Sequence, residues 1–355
     1  MADKSRIEWT DATWNPLRGC SRVSEGCRHC YAEGVAARFS GLGLPYEGLA
    51  KRVTRPDGGS EARWTGKVVF SGEEVLTQPL RWKKPRKIFV NSMSDLFHES
   101  VPDEWIDRIF AVMALCPQHT FQVLTKRPER MRAYLAPFDG RRADGLGMAV
   151  VDLGYQGPME ELPWPLPNVW LGVSVEDQVT ADTRIPYLLQ TPAAVRFMSA
   201  EPLLGPMDLG WLEVSALERA DVLQGKLHGL TTSGSRCWTK VGMPRLDWVI
   251  AGGESGAGAR PMHPNWARSL RDQCATAGVP YFFKQFGEWA PVHSSVLPAS
   301  GPGIATVLPD GRVREWQPDY PEARLTSPDM RMMERLGKAR AGRLLDGVEH
   351  NGMPA

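Results

Sequence analysis

The chain has 355 residues, 42% of them hydrophobic, and a formal net charge of +1 from 42 Lys and Arg against 41 Asp and Glu. That size and apolar content support a large core, in one α/β domain or a domain with insertions, and exclude a disordered chain. The balanced charge excludes nucleic-acid recognition by bulk electrostatics, and no apolar run is long enough to cross a bilayer, so no membrane partner is expected.

Met1 to Ile7 is short and polar, unlike a secretory leader, so the expected location is the reducing cytoplasm, where thiols stay unpaired. Downstream, short β-branched or aromatic runs alternate with helical segments, the pattern of repeated βα units around a parallel sheet. The runs are Ile7 to Trp14, Lys67 to Phe70, Lys87 to Asn91, Phe121 to Thr125, Val169 to Val175, Val195 to Ser199, Trp248 to Ala251 and Tyr281 to Phe286. About eight such runs are what a closed barrel needs. The predicted class is therefore α/β, a TIM-barrel-like parallel (β/α) barrel, whole or partial, over residues 1–290. Helices are expected over Tyr31 to Phe39, Pro102 to Leu115, Pro128 to Leu135 and Asn265 to Ala277. The second carries Trp105, Ile106, Ile109, Phe110 and Met113 at helical spacing, behind Asp103 and Glu104 in the first turn, where acidic groups suit the dipole. Asp139 to Pro167 and Met207 to Arg245 read as loops or small insertions. From 291 to 355 the alternation gives way to an extension. It is expected to hold a hairpin over Ala305 to Trp316, turning at Pro309-Asp310-Gly311, and a basic helix over Met330 to Leu345.

The loop between the first strand and the first helix, residues 14–31, holds Cys20, Cys27 and Cys30, three of the six cysteines. A Cys-x-x-Cys turn brings two thiolates to one centre, and Cys20 can fold back through Gly19 and Gly26 to supply a third. Three protein ligands on a 4Fe-4S cluster leave one iron open to a small chelating molecule, and the amino and carboxylate groups of S-adenosylmethionine suit that position. The cofactor would supply radical chemistry, fed by an external electron donor, and the protein would aim it. The alternative is a structural zinc or iron-sulfur site in a non-catalytic nucleic-acid-binding protein, with His29 or a distant thiol as fourth ligand. His29, between Cys27 and Cys30, is cramped for that role, and zinc ribbons show two paired knuckles where this chain has one. Cys116 and Cys274, inside apolar stretches, read as packing residues.

In a βα barrel the carboxyl ends of the strands open onto the face that holds the active site. Here they run into Asn91, Ser92 and Asp95; Thr125, Lys126 and Arg127; Ser174 and Glu176; Ser199 and Glu201; Gly252, Gly253, Glu254 and Ser255; and Lys284 and Gln285. Asn91, Ser92, Ser174, Glu176, Gly252, Gly253 and Glu254 are the expected cofactor-binding residues. Asp95, Lys126 and Glu201 are the expected catalytic ones. For Asp95 and Glu201 the structural alternative is a salt bridge to Lys126 or Arg127. A metal-dependent hydrolase is disfavoured, because of the seven histidines only His98 and His263 lie near strand ends.

Nucleic acid is a further expected partner. Arg81-Trp82-Lys83-Lys84-Pro85-Arg86-Lys87 sets five positive charges around one aromatic ring, and Lys338, Arg340 and Arg343 form a second group. Such patches neutralise phosphates while a ring stacks on a base, although a charge run is more often a solvated face. A partner protein that completes the site is compatible with the same residues.

Several words in the chain also resemble a phage-associated, radical-SAM-like three-cysteine family and, more distantly, spore photoproduct lyase. They are Thr13-Trp14-Asn15-Pro16 into Gly19-Cys20, Gly26-Cys27-Arg28-His29-Cys30-Tyr31-Ala32, Ile88 through His98, Leu124-Thr125-Lys126-Arg127-Pro128, Gly172-Val173-Ser174-Val175-Glu176, Ser199-Ala200-Glu201-Pro202-Leu203 and Ala251-Gly252-Gly253-Glu254-Ser255. The resemblance spans nearly the whole chain. It implies a 4Fe-4S cluster on the three cysteines, S-adenosylmethionine on the open iron, and a substrate in which a nucleobase is acted on. The common radical SAM motif spaces its cysteines by three and two residues, whereas the gaps here are six and two. Ser71-Gly72-Glu73 is similar to the Gly-Gly-Glu segment that holds the amino group of S-adenosylmethionine in such proteins.

Overall fold

The computed structural model of the protein describes residues 5, 7–55, 58–135, 140–158, 162–292, 303–315 and 329–355. The chain begins with β1 (Ala12–Trp14), β2 (Leu17–Arg18), a 3-10 turn (Glu25–Cys27), α1 (Tyr31–Arg38), β3 (Ala50–Thr54), β4 (Ser60–Trp64), β5 (Val69–Phe70) and α2 (Glu73–Leu76). There follow β6 (Lys87–Val90), α3 (Asp103–Ala114), β7 (Thr120–Thr125), α4 (Pro128–Leu135), α5 (Gly140–Asp152), β8 (Val169–Val175), α6 (Gln178–Leu189) and β9 (Val195–Ala200). The remainder comprises β10 (Leu212–Ser215), β11 (Glu218–Asp221), β12 (Lys226–Leu230), β13 (Arg236–Lys240), β14 (Trp248–Gly252), α7 (Pro264–Ala277), β15 (Tyr281–Gln285), β16 (Trp289–Pro291), β17 (Ile304–Val307), β18 (Val313–Glu315), β19 (Arg331–Arg335) and α8 (Lys338–Ala341).

Seven strands form one sheet in the order β1-β6-β7-β8-β9-β14-β15. The pairs β1/β6, β6/β7, β7/β8 and β14/β15 are parallel. This is a mixed α/β architecture compatible with a partial parallel barrel. Every residue of β8 and of β14 is buried, as expected where a parallel sheet is covered on both faces and its strands read as continuous apolar runs. The expected strand at Lys67 to Phe70 does not join this sheet. It shortens to the two residues of β5, which pair antiparallel with β2 through Leu17↔Phe70 and Arg18↔Val69.

The chain divides into two compact units. The first is Met1–Ser174 with Arg184–Phe197, and the second is Val175–Thr183 with Met198–Ala355. In the first, the expected helix over 102–115 forms as α3 and buries Ile106, Ile109, Phe110 and Met113, while Trp14 and Phe121 pack with ring centroids 5.7 Å apart. In the second, α7 covers β14 and β15 with Trp266, Leu270 and Cys274 buried. Cys116 and Cys274 are both fully buried packing residues.

Both stretches read as loops contain regular structure. Gly140–Asp152 is a helix, α5, packed on α3; Leu146, Ala149 and Val150 are buried at helical spacing, which outweighs its three glycines. Residues 207–245 hold the antiparallel sheet β10-β11-β12-β13. The hairpin expected at the C-terminal end is present as β17/β18, with Val307 opposite Val313; Trp316 lies outside the described residues. The basic helix over Met330 to Leu345 is not. Arg331–Arg335 is strand β19, pairing with β17 and β16, and only Lys338–Ala341 is helical. Met333 is fully buried within that sheet, and Gly337 at φ 84 ends any helix that would span the segment.

Candidate metal centre

The cysteine loop is pinned to the carboxyl ends of β1 and β6 before Cys20 is reached. Asn15 accepts hydrogen bonds from the Ser92 hydroxyl (3.1 Å) and the Met93 amide (3.0 Å). The Ser94 hydroxyl donates to the Leu17 carbonyl (3.1 Å), and Gly19 bridges Ser94 through its backbone. Gly19 has φ +99, and a Cβ there would stand 2.1 Å from the Lys67 carbonyl oxygen, so only glycine fits this approach. The chain then passes through the 3-10 turn Glu25–Cys27, where the Cys27 amide bonds Ser24 (3.0 Å), and enters α1 with Cys30 as its N-cap. Tyr31, next in sequence, donates its hydroxyl to the Ser92 carbonyl at 2.8 Å.

Cys20 and Cys30 are half-buried and pack against an apolar cluster of Ala32, Ala36, Leu49, Ala50, Trp64 and Met93. Burial pushes the Cys20 thiol up to about 12, the Asp95 carboxylate adds to the rise and the Arg127 guanidinium opposes it. Burial also raises Cys30, against the pull of the Glu33 and Ala32 amides at the start of α1. The charge of Cys30 adds to the rise at Cys20, and that of Cys27 to the rise at Cys30. Among the described residues no group of three or more His, Cys, Asp and Glu side chains is already arranged as a metal site. The donor chemistry nevertheless suits a sulfur-rich centre: three thiols on one loop, an apolar wall and a cation beside one sulfur.

That cation is Arg127, the expected salt-bridge partner of Asp95. Its Nη1 lies 3.8 Å from Cys20 Sγ and 3.1 Å from Asp95 Oδ2. Nε donates to Glu99 (2.7 Å), and Nη2 to the Ser21 hydroxyl (2.7 Å) and carbonyl (3.2 Å). Burial works against its charge, but Asp95, Cys20 and Glu99 hold the guanidinium protonated. Burial would raise Glu99, yet its own backbone amide and Arg127 bring it down to about 2. His98 is buried, and burial followed by Arg127 lowers its pKa. Its Nδ1 accepts from the Ser100 amide, so Nε2 carries the proton and donates to the Ser21 hydroxyl at 2.9 Å.

Asp95 takes the structural alternative. It accepts from the Thr125 hydroxyl (2.7 Å) and the amides of Phe97 (3.0 Å) and Lys126 (3.1 Å), besides pairing with Arg127. The Lys126 ammonium donates to Ser174 Oγ at 2.6 Å, and the Ser174 carbonyl accepts from Arg184 at 2.6 Å. Asn91 sits at φ 61, uncommon for a residue other than glycine. Its Oδ1 faces the Leu17 amide at 3.4 Å, while its buried Nδ2 has no hydrogen-bond partner among the described residues. A buried donor left unpaired costs stability, and a ligand acceptor would relieve it. Glu73, in the Ser-Gly-Glu segment, is held instead by a two-bond contact with Arg108 (2.7 and 2.6 Å).

The other expected site residues belong to the second unit. Glu201 pairs with Lys284 at 3.0 Å and accepts from Ser199 at 3.2 Å. Glu254 is clamped by Arg260 through Nη2 (2.7 Å), Nε (2.9 Å) and the backbone amide (2.8 Å). Glu176 is buried and its carbonyl accepts from Leu204 at 2.7 Å. Gly253 lies so close to Phe286 that a Cβ would be 2.0 Å from its carbonyl oxygen, and a Cβ on Gly252 would be 2.9 Å from Glu201 Oε1. The close approach that these glycines permit is therefore to the unit's own backbone and Glu201.

The basic run is partly committed as well. Arg86 covers the Trp82 ring at 4.7 Å, and Arg81 bonds Thr77 and the Glu74 carbonyl. Arg343 lies over Phe282 at 5.2 Å.

A family profile matches residues 4–354, nearly the whole chain. The protein belongs to the family of unknown function DUF5131. Neither a curated protein nor a solved structure matches it. Among the described residues no helix is long and apolar enough to cross a membrane.

Proposed function

We propose that this family member is a radical-SAM-like iron-sulfur enzyme whose cluster is held by Cys20, Cys27 and Cys30. The observation that carries the reading is the loop itself: three thiols on one short segment, anchored to two strand ends, with Arg127 at 3.8 Å from one sulfur. When bound, a 4Fe-4S cluster with an open iron supplies one-electron reduction of S-adenosylmethionine. The protein's own contribution is to hold and shield. Arg127 offers positive charge to the Cys20 thiolate, and hydrogen bonds to cluster sulfur tune potential. Asp95, Glu99 and Ser21 fix Arg127 in place. The apolar cluster behind Cys20 and Cys30 keeps water from that side. Asn91 Nδ2 is an unspent donor for a carboxylate or ribose oxygen. A cytoplasmic location, an external electron donor and a nucleobase substrate belong to the same proposal.

The test is anaerobic reconstitution with iron and sulfide, followed by S-adenosylmethionine and a strong reductant. The reading predicts 5'-deoxyadenosine. Protein with a full cluster that yields none would refute the enzymatic part, and one tightly held zinc in place of iron would favour a structural site.

A further inference from the structure

The four-stranded sheet of the second unit ends in an open edge. Its order is β10-β11-β12-β13, so β13 has a neighbouring strand on one side only, and all five of its residues are exposed. Among the described residues, β13 forms no main-chain hydrogen bond outside its pairing with β12. Such a row of unpaired N–H and C=O groups is a template for another strand. We propose that β13 is the docking edge for an extended, acidic segment of a partner protein, which adds to the sheet as a fifth strand. The inference goes beyond the iron-sulfur reading and does not depend on it.

Charge identifies the occupant. Between Asp221 and Asp247 the chain holds Lys226, Arg236, Lys240 and Arg245 and no Asp or Glu. Lys226 stands opposite Asp221 across the β11/β12 pair and is matched there. Arg236 and Lys240 are not. Among the described residues neither pairs with a carboxylate, and Arg236 rests over the Trp211 ring at 5.3 Å. A lysine on an edge strand deters self-association, which alone would account for Lys240. It does not account for Trp238, two residues earlier and 46% exposed. Trp238 lies directly opposite Gly229, and a Cβ on that glycine would collide with the indole. The ring therefore lies across the bare backbone of β12 with its outer side open.

The two faces of the sheet distinguish a strand from other acidic polymers. His228 stacks on Trp211 with ring centroids 5.5 Å apart, and Arg236 covers the same indole, so all three share one face. Gly229 follows His228 in β12 and belongs to the other face, with Trp238 opposite it and Lys240 two residues on. The register shift between Gly229 and Leu230 places Arg236 opposite Leu230, which is what turns Arg236 away from Trp238. A nucleic-acid backbone lying on either face would meet one of these two cations. A strand added at the edge sends alternate side chains to both faces, and so meets Arg236, Trp238 and Lys240 together. A second copy of the chain fits badly, because antiparallel self-pairing about Trp238 would set Arg236 against Lys240, like charge against like.

The experiment is fluorescence anisotropy of a labelled synthetic peptide, Val and Thr alternating at its centre and two Glu at each end, titrated with the full-length protein. The competitors are the unlabelled peptide, the same peptide with Lys for Glu, the Glu peptide N-methylated throughout its centre, and a single-stranded oligonucleotide. Only the unlabelled Glu peptide is expected to displace the probe, and amide hydrogen exchange across residues 235–241 is expected to slow when it binds. Lys240→Glu and Trp238→Ser should each weaken binding about tenfold, with thermal melts to confirm folding. Should Trp238→Ser fail to fold, Lys240→Glu, at an exposed side chain, decides. The proposal is overturned by absence of saturable binding, by binding that N-methylation or Lys240→Glu leaves unchanged, or by stronger displacement with the oligonucleotide. A dimer of the free protein in light scattering that Trp238→Ser dissociates would assign the edge to a second copy and overturn it too. Iron content plays no part in this readout, so its failure is distinct from failure of the cluster.

Discussion

Arg127 is the residue on which the cysteine site turns, because one guanidinium satisfies Asp95, Glu99 and Ser21 while touching Cys20. Its side chain and that of Asp95 are 9% and 8% exposed. Removing one partner of so buried a pair leaves an uncompensated charge, so Arg127→Ala should lose about 3 kcal/mol in urea unfolding, with Lys recovering only part. A loss within a few tenths of a kcal/mol would show that the network is ornamental. Gly19→Ala faces both a positive φ and a carbonyl oxygen at 2.1 Å, and should cost well over about 1 kcal/mol by the same measurement. The cysteines were legible at this scale because thiol spacing survives any fold. Arg127 was legible as a partner for Asp95, but its reach to Ser21 and Cys20 was not, since those residues are distant in sequence and nothing local marks an arginine as shared. Asp95 and Glu201 stood out as strand-end acids. The pairing of Asp95 with Arg127 was expected as one alternative and is present, whereas Glu201 meets Lys284 rather than Lys126 or Arg127.

At the scale of elements, buried parallel strands were easy to read because burial on both faces leaves continuous apolar runs, as in β8 and β14. The hairpin β3/β4 was hidden by charge: Lys51, Arg52, Glu61 and Arg63 interrupt any apolar alternation. β19 failed the other way, since basic residues at near-helical spacing suggested a helix while Met333 pairs into a sheet. Helix α7 offers a pH test of local structure. Its N-cap His263 accepts from the Asn265 amide through Nδ1 and contacts the Asp329 carbonyl through Nε2 at 2.7 Å. Burial holds its pKa below the ordinary histidine value. The folded pKa is thus below the unfolded one, so the stabilisation is complete above about pH 6.5 and is lost as pH falls from there through the folded value. His263→Asn, which retains a capping side chain, should show a shallower fall in urea midpoint below that pH. Parallel profiles would contradict the assignment of neutral His263 to the cap.

For the whole molecule, the alternation of strands and helices foretold a parallel α/β sheet, and seven of the eight expected strands lie in it. Barrel closure was not readable, because two half-buried residues at Val69–Phe70 look alike whether they join a barrel or pair with β2. The account rests on the cysteine loop gathering iron, and metal analysis of anaerobically purified full-length protein tests that directly. It predicts about four iron and four sulfide per chain, with an EPR signal on reduction that changes when S-adenosylmethionine is added, and loss of iron in Cys20→Ser, Cys27→Ser and Cys30→Ser alike. Stoichiometric zinc, or iron that survives replacement of all three cysteines, would contradict it.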